Sequence, residues 1–299
     1  MAAKDRLTKV ANFSNVTARE IDFVSRFENS WEALREMMGI SHPVRKEAGS
    51  TVYIKTASVT LQSGSVGEGE EIPYSQAGVT QSPLGSITIE KYAKAVSLEA
   101  INSFGYETAV QKTDDEFLAQ LTNVVLGKFY TFAATGTLTG SDTSFIRALA
   151  NAKGAVENKF RTINKGINGV VAFVNVLDFY DYLGNASITV QNQFGMDYVE
   201  NFMGYRAVFL CSTSQVVQGK VIATPVDNLI MYYIDPSDSA FARAGLEYTT
   251  SGGETSLIGF HTEGKYSHAV SEAFAIMGVT LAAEYIDGIA VRTFTATSL

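Results

Sequence analysis

Gly259-Phe260-His261-Thr262-Glu263-Gly264-Lys265 has the glycine and lysine spacing of a loop that cradles phosphates. The next residue must be Ser or Thr to hold magnesium, and here it is Tyr266. No helical pattern follows to supply an anion-binding N-terminus. Gly64, Gly67 and Gly69 lack the spacing of a dinucleotide fingerprint and read as a flexible turn. The three histidines, His42, His261 and His268, form no pair at helical spacing and have no cysteine beside them, which argues against a structural metal. Cys211 is the only cysteine, so no intrachain disulfide forms. Its run Ala207-Val208-Phe209-Leu210-Cys211 reads as a buried strand, with the thiol as a small hydrophobe. Glu68, Glu70 and Glu71 have the chemistry of an acid/base pair or a cation site, but such a run in a glycine-rich stretch reads better as a solvated loop that meets basic residues of a neighbour. No nucleophile elbow is present. A Ser-His-Asp triad gathered from distant positions is left open by sequence alone. The expectation is no catalytic residue, no metal and no cofactor.

The elements around these residues are more telling. Residues 1–16 are polar and unperiodic and read as an arm. Thr17 and Glu20 have capping-box spacing, with Glu20 reaching back to the cap. Ile21, Val24, Phe27, Trp31, Leu34 and Met38 then recur on one helical face, and Gly39 is a natural stop. Thr51–Leu61 is rich in β-branched residues and predicts a strand, and Ile87–Val96 predicts a second. Residues 62–86 between them are rich in Gly, Ser and Gln. Compact domains mostly use connections of ~4–6 residues. A hairpin this long with so little to bury has no core of its own and must lie on something else, such as another copy of the chain.

A helix-like stretch begins near Ser97. A stronger helix is predicted from Thr113, where Thr113 and Glu116 again have capping-box spacing and Asp114 and Asp115 suit a first turn. Its apolar face is Phe117, Leu118, Leu121, Val124, Val125, Phe129 and Phe132, running to about Ala134. Thr135–Gly140 reads as a linker. From Asp142 helices and short strands alternate: a helix with Phe145, Ile146, Leu149, Val156 and Phe160, a buried strand Gly169–Val174, and a short helix Leu177–Leu183. A helix over Met196–Met203 and strands at Tyr205–Leu210, Val221–Thr224 and Leu229–Ile234 follow. After about Ser251 the chain reads as strands, ending with Gly288–Phe294.

Hydrophobic residues make up 46% and charged residues 18%, enough for a sizeable core. The net charge of −8 argues against a surface built to grip phosphates, and so against sequence-specific DNA binding. Met1-Ala2-Ala3-Lys4-Asp5-Arg6 has no apolar run after its charges and is not read as a signal peptide. No stretch approaches the ~20 apolar residues of a membrane-spanning helix, so no membrane partner is expected.

In order, these elements resemble the major capsid proteins of tailed phages of the Hong Kong 97 type. Several phrases are similar too: Val66-Gly67-Glu68-Gly69-Glu70-Glu71-Ile72-Pro73, Lys91-Tyr92-Ala93-Lys94-Ala95-Val96-Ser97-Leu98-Glu99, Val170–Asn175, and Phe202-Met203-Gly204-Tyr205-Arg206-Ala207-Val208. The resemblance spans nearly the whole chain and implies an α+β fold in five parts. These are an N-terminal arm and first helix (1–45), an extended E-loop hairpin (46–97), a P-domain with a long spine helix (98–140), an α+β A-domain (141–255), and terminal strands (256–299) returning to the P- and A-domains. It also implies that Glu68, Glu70, Glu71, Ile72, Pro73 and Tyr74 at the hairpin tip touch a neighbouring subunit. Phe117, Leu121, Val125 and Phe129 would be the core face of the spine helix.

The implied function is an icosahedral head shell in the virion, assembled in the host cytoplasm from hexamers and pentamers of the chain. Its implied partners are a scaffolding protein, a portal, double-stranded DNA touched non-specifically and, optionally, a decoration protein. Two departures shape this expectation. Only about 16 residues precede the first predicted helix, so scaffolding is expected as a separate protein. Residues 62–86 hold no lysine for a covalent cross-link, and Lys55 lies on the outgoing strand. The alternative is the shell of a cellular nanocompartment of the same fold, enclosing enzyme cargo.

Overall fold

A computed structural model describes residues 19–28, 40–47, 49–184, 190–193, 196–250 and 256–295. The arm at 1–16, the Thr17 cap, and Trp31, Leu34, Met38 and Gly39 lie outside the described residues.

The first half of the chain builds a helix, a small strand, a ribbon and a long helix. Helix α1 (19–28) precedes β1 (Ile40–Arg45). Strands β2 (Thr51–Thr60) and β3 (Gln76–Ser86) pair only with each other, as a two-stranded antiparallel ribbon. Strand β4 (Glu90–Ser97) runs into α2 (Leu98–Phe104), whose N-terminus is capped by Ser97: its side chain accepts from the Ala100 N–H. A π-helical turn (Glu107–Gln111) leads without a break into α3 (Lys112–Ala133). The chain then turns at Gly136, where a Cβ would lie 2.6 Å from the Ile289 carbonyl oxygen, so only glycine lets the two backbones pass this closely.

The second half adds β5 (Leu138–Asp142), α4 (Phe145–Thr162), β6 (Val170–Asn175), α5 (Val176–Leu183), β7 (Gln191–Gln193), β8 (Met196–Glu200), β9 (Ala207–Cys211), β10 (Lys220–Pro225) and β11 (Leu229–Tyr233). Helix α6 (Ser239–Arg243), β12 (Ile258–Lys265), β13 (Val270–Met277), β14 (Val279–Ala283) and β15 (Ala290–Phe294) complete it. The main sheet has seven strands in the order β5-β15-β10-β6-β9-β8-β7. Two three-stranded sheets, β12-β13-β4 and β1-β11-β14, stand beside it.

Strand β6 explains the layering. All six of its residues are buried, because both faces of the sheet are covered. Val171 and Phe173, with Phe209 and Ile222 of neighbouring strands, join a core with Leu121, Val125 and Phe129 of α3. Phe173 stacks on Phe209 with centroids 5.2 Å apart and meets Phe129 edge-on at 5.0 Å. Val170, Ala172 and Val174 join the opposite core with Leu149, Ala152, Val156 and Phe160 of α4. Alternation along one strand thus ties α3 to one face and α4 to the other.

Five expectations are corrected. The partner of β2 is β3, in the stretch read as a polar tip, while β4 (read as the return strand) pairs with β13. A ribbon wetted on both faces carries no strong apolar alternation, so its strand had no hydrophobic signature to read. Thr113 does not start a helix. Its hydroxyl donates to the Ala109 and Val110 carbonyls inside a continuous turn, and Glu116 accepts from Gln120. Met196–Glu200 is a strand: pairing with β9 outweighs the helical spacing of its apolar residues, and positive φ at Asn201 and Met203 stops any helix there. Part of the 135–140 linker is strand β5, parallel to β15. Ile21 does not share the buried face of α1. It is 56% exposed, while Phe23, Val24 and Phe27 are buried.

Candidate functional site

The ribbon is built from the base outward. Val52, Ile87 and Ile234 form a small buried cluster at its root. Gly49 N–H donates to the Ile87 carbonyl at 3.0 Å, and Ile87 N–H to the Ser50 carbonyl at 3.3 Å. Arg45 holds the adjoining turn through Asp235 at 3.1 Å. Just above the root the register slips between Val52 and Tyr53, leaving an extra residue on β3, and Gly85 with φ +135° accommodates the bulge. Beyond that the strands stay paired out to Thr60 and Gln76, and every described side chain from Ala57 to Val79 is exposed.

The tip residues singled out by sequence lie together at the far end. Glu68 and Gly69 occupy the centre of a tight turn closed by the Glu70 N–H on the Gly67 carbonyl at 3.1 Å. Gly69 has φ +85°, which a type II turn demands at its third position. The Glu70 carboxylate accepts from the Gly67 N–H at 2.9 Å. Glu68, Glu71 and Pro73 are exposed, Ile72 is 69% exposed and Tyr74 91%. An isolated hairpin is marginal in water, and apolar tips on it have no folding role.

The core face of α3 is placed as expected for Leu121, Val125 and Phe129, which are buried; Phe117 packs at its margin. Leu126 and Tyr130 join that face too, although the spacing argument left them out. The same helix holds α1. Asp114 is buried and accepts from Arg19 through Nε at 2.5 Å and Nη2 at 2.7 Å, and from Lys94 of β4. Burial pushes the Lys94 ammonium down from its ordinary value, and the Asp114 carboxylate opposes that. Arg26 reaches Asp115 at 2.9 Å. The Glu20 carboxylate accepts from the hydroxyls of Thr249 (2.9 Å) and Thr262 (2.8 Å), and Phe23 stacks on Phe260 at 3.9 Å. Sequence reading missed this clamp because its partners lie 95 to 242 residues apart.

The residues with the best claim to chemistry are scattered. Gly259–Lys265 is extended strand within β12, so its amides serve the sheet. His261 lies 3.7 Å from Glu20, and His268 bonds Ser267. Cys211 is buried as expected, and burial pushes its thiol up to about 12, which leaves it unreactive as a thiolate. Among the described residues no group of three His, Cys, Asp or Glu is placed to hold a metal. A surface cleft of about 560 Å³ between Glu20, Asp238, Tyr248 and His261 brings none of the sequence-predicted site residues together. No described helix is long and apolar enough to cross a membrane.

No family model and no curated protein matches the chain. Solved structures do. The chain is similar to a virus-like particle from Pyrococcus furiosus, with TM-score 0.53 and 12% identity over 92% of this chain and 100% of that one. It is similar to the mature capsid of bacteriophage PhiM1, with TM-score 0.55 and 9% identity over 88% and 87%. It is also similar to the capsid of cyanophage P-SCSP1u, with TM-score 0.51 and 11% identity over 85% and 87%. At these identities the likeness establishes the fold: an α+β capsid fold of the Hong Kong 97 type.

Proposed function

We propose that this chain is the major capsid protein of a tailed phage, a shell-building subunit with no catalytic step. In this reading many copies, arranged as hexamers and pentamers, close an icosahedral virion shell around double-stranded DNA. The observation that carries it is the ribbon β2–β3. A two-stranded extension with only its root buried contributes little to the stability of its own subunit, so its use is outside it. The shared fold with a virus-like particle and two phage capsids supports that use. The ribbon is the E-loop, α3 the spine helix of the P-domain, and the main sheet with α4 and α5 the body of the A-domain. A scaffolding protein, a portal and, optionally, a decoration protein complete the assembly, which takes place in the host cytoplasm.

Electron microscopy of the full-length chain, expressed with its scaffolding protein, tests this. Closed isometric particles that take up DNA when the portal is present are expected. Discrete monomers under all conditions would sink the proposal. The likeness to the virus-like particle favours one further reading, a shell around protein cargo; particles that purify with a tightly bound enzyme and no DNA would select it.

A further inference from the structure

The two faces of the ribbon differ. In an antiparallel pair, residues opposite one another share a face. Tyr53 lies opposite Pro83, Ala57 opposite Val79, and Val59 opposite Ala77. These six make one face apolar, and Val59 (61%) and Val79 (70%) are largely in solvent. The other face carries Ser58, Thr60, Gln76 and Thr80. A Cβ built on Gly78 would lie 3.7 Å from the Ser58 hydroxyl, as expected for two positions on one face. The body of the same chain covers neither face.

A second apolar surface on the chain is equally bare. Helix α2 buries none of its seven residues, although it contains Leu98, Ile101 and Phe104. Phe104 is 70% exposed, and Leu98 and Tyr106 are exposed beside it. A helix of two turns is not held in water by its backbone bonds alone and needs packing. Charge is complementary as well. Lys91 in β4 and Lys112 at the start of α3 flank α2 in sequence, and neither makes an ion pair among the described residues. The ribbon tip carries Glu68, Glu70 and Glu71 and no cation anywhere in 62–86.

We infer that the apolar face of the ribbon lies on the α2 surface of a second copy of this chain, with its acidic tip toward the basic flanks of that surface. The inference rests on the shell reading above. The ten residues of β2 span ~33 Å, enough to reach across a neighbour. The contact joins unlike surfaces, so each copy gives a ribbon and receives one. Contacts of that kind close into rings when the rotation allows. The polar face then points away from the receiving subunit.

Three variants of the full-length chain test it, assembled under whatever conditions give wild-type particles. Val59→Asp with Val79→Asp should keep the wild-type melting temperature and lower particle yield by at least about ten-fold, the equivalent of ~1.4 kcal/mol in assembly. Ser58→Asp with Thr80→Asp should assemble normally. Phe104→Asp should fail as the first does. In intact particles, cysteines at 59 and 104 should be joined between copies by a short bis-maleimide; buried Cys211 keeps the background silent. Equal losses from both ribbon faces, normal particles from the first variant, or capture of position 59 only by a different protein would each overturn the inference while leaving the shell reading intact. A wild-type chain that never forms particles removes both.

Discussion

At the scale of residues, the most exacting position is Asp114, the one carboxylate that faces two cations from two other elements. Asp114→Ala leaves Arg19 and Lys94 without their shared partner in a largely desolvated setting. It should destabilise the subunit by ~3 kcal/mol in denaturant titration. Asp115→Ala, which breaks only the exposed pair with Arg26, should cost under ~1 kcal/mol by the same measurement. Cys211 supplies a test in alkali. Its ordinary value is 9.0 and burial raises it to about 12, so the folded state keeps a proton that the unfolded state gives up. The stability it contributes is complete below pH 9 and is lost as pH rises toward 12. Tyr130, raised by burial beside it, acts in the same direction above pH 10. Denaturant midpoints should therefore fall between pH 8.5 and 10.5, less steeply in Cys211→Ala. At neutral pH, maleimide should label the native thiol only at the rate of unfolding. The burial of Cys211 was readable from its apolar run. The roles of Asp114 and Glu20 were not, because a carboxylate in a plausible first turn looks the same whether it faces water or a distant arginine.

At the scale of elements, the ribbon separates folding from assembly. Thr56 and Thr80 are paired, so residues 57–79 can be replaced by an Asn-Gly turn without disturbing the register below. Everything removed is exposed, and the unfolding free energy should change by less than ~0.5 kcal/mol. Particle formation, scored by electron microscopy, should be lost; normal particles from the trimmed chain would contradict the role given to the ribbon. Sequence legibility followed burial. Helices α3 and α4 and the strands β6 and β9–β11 pack apolar residues against a core, and their periods could be read. Strand β3 packs against nothing in its own chain and left no such period. Strand β8 was misread because Met196, Val199 and Met203 fit a helical spacing, and only the pairing with β9 decides for the strand.

At the scale of the whole molecule, a conserved body carries extensions whose contacts lie in other copies, if the shell reading holds. A glutamate-specific protease should cut the free subunit first at Glu68, Glu70 and Glu71, and these bonds should become resistant in assembled particles; mass spectrometry of the digests reads both. The layered body was recognisable as an α+β arrangement from the alternation of elements, whereas strand order was not, since pairings such as β5 with β15 link residues far apart in the chain. That last pairing has a consequence for biosynthesis. Strand β15 sits between β5 and β10, yet it is the last described strand to leave the ribosome. Until it emerges, the sheet has a missing slat, and the edges of β5 and β10 that it will occupy stay open. The nascent chain therefore completes its body only near the end of translation. Crowded polysomes are protected from shells nucleating on half-made chains, and a ribosome stalled before residue 290 should leave a product that chaperones and proteases still treat as unfinished.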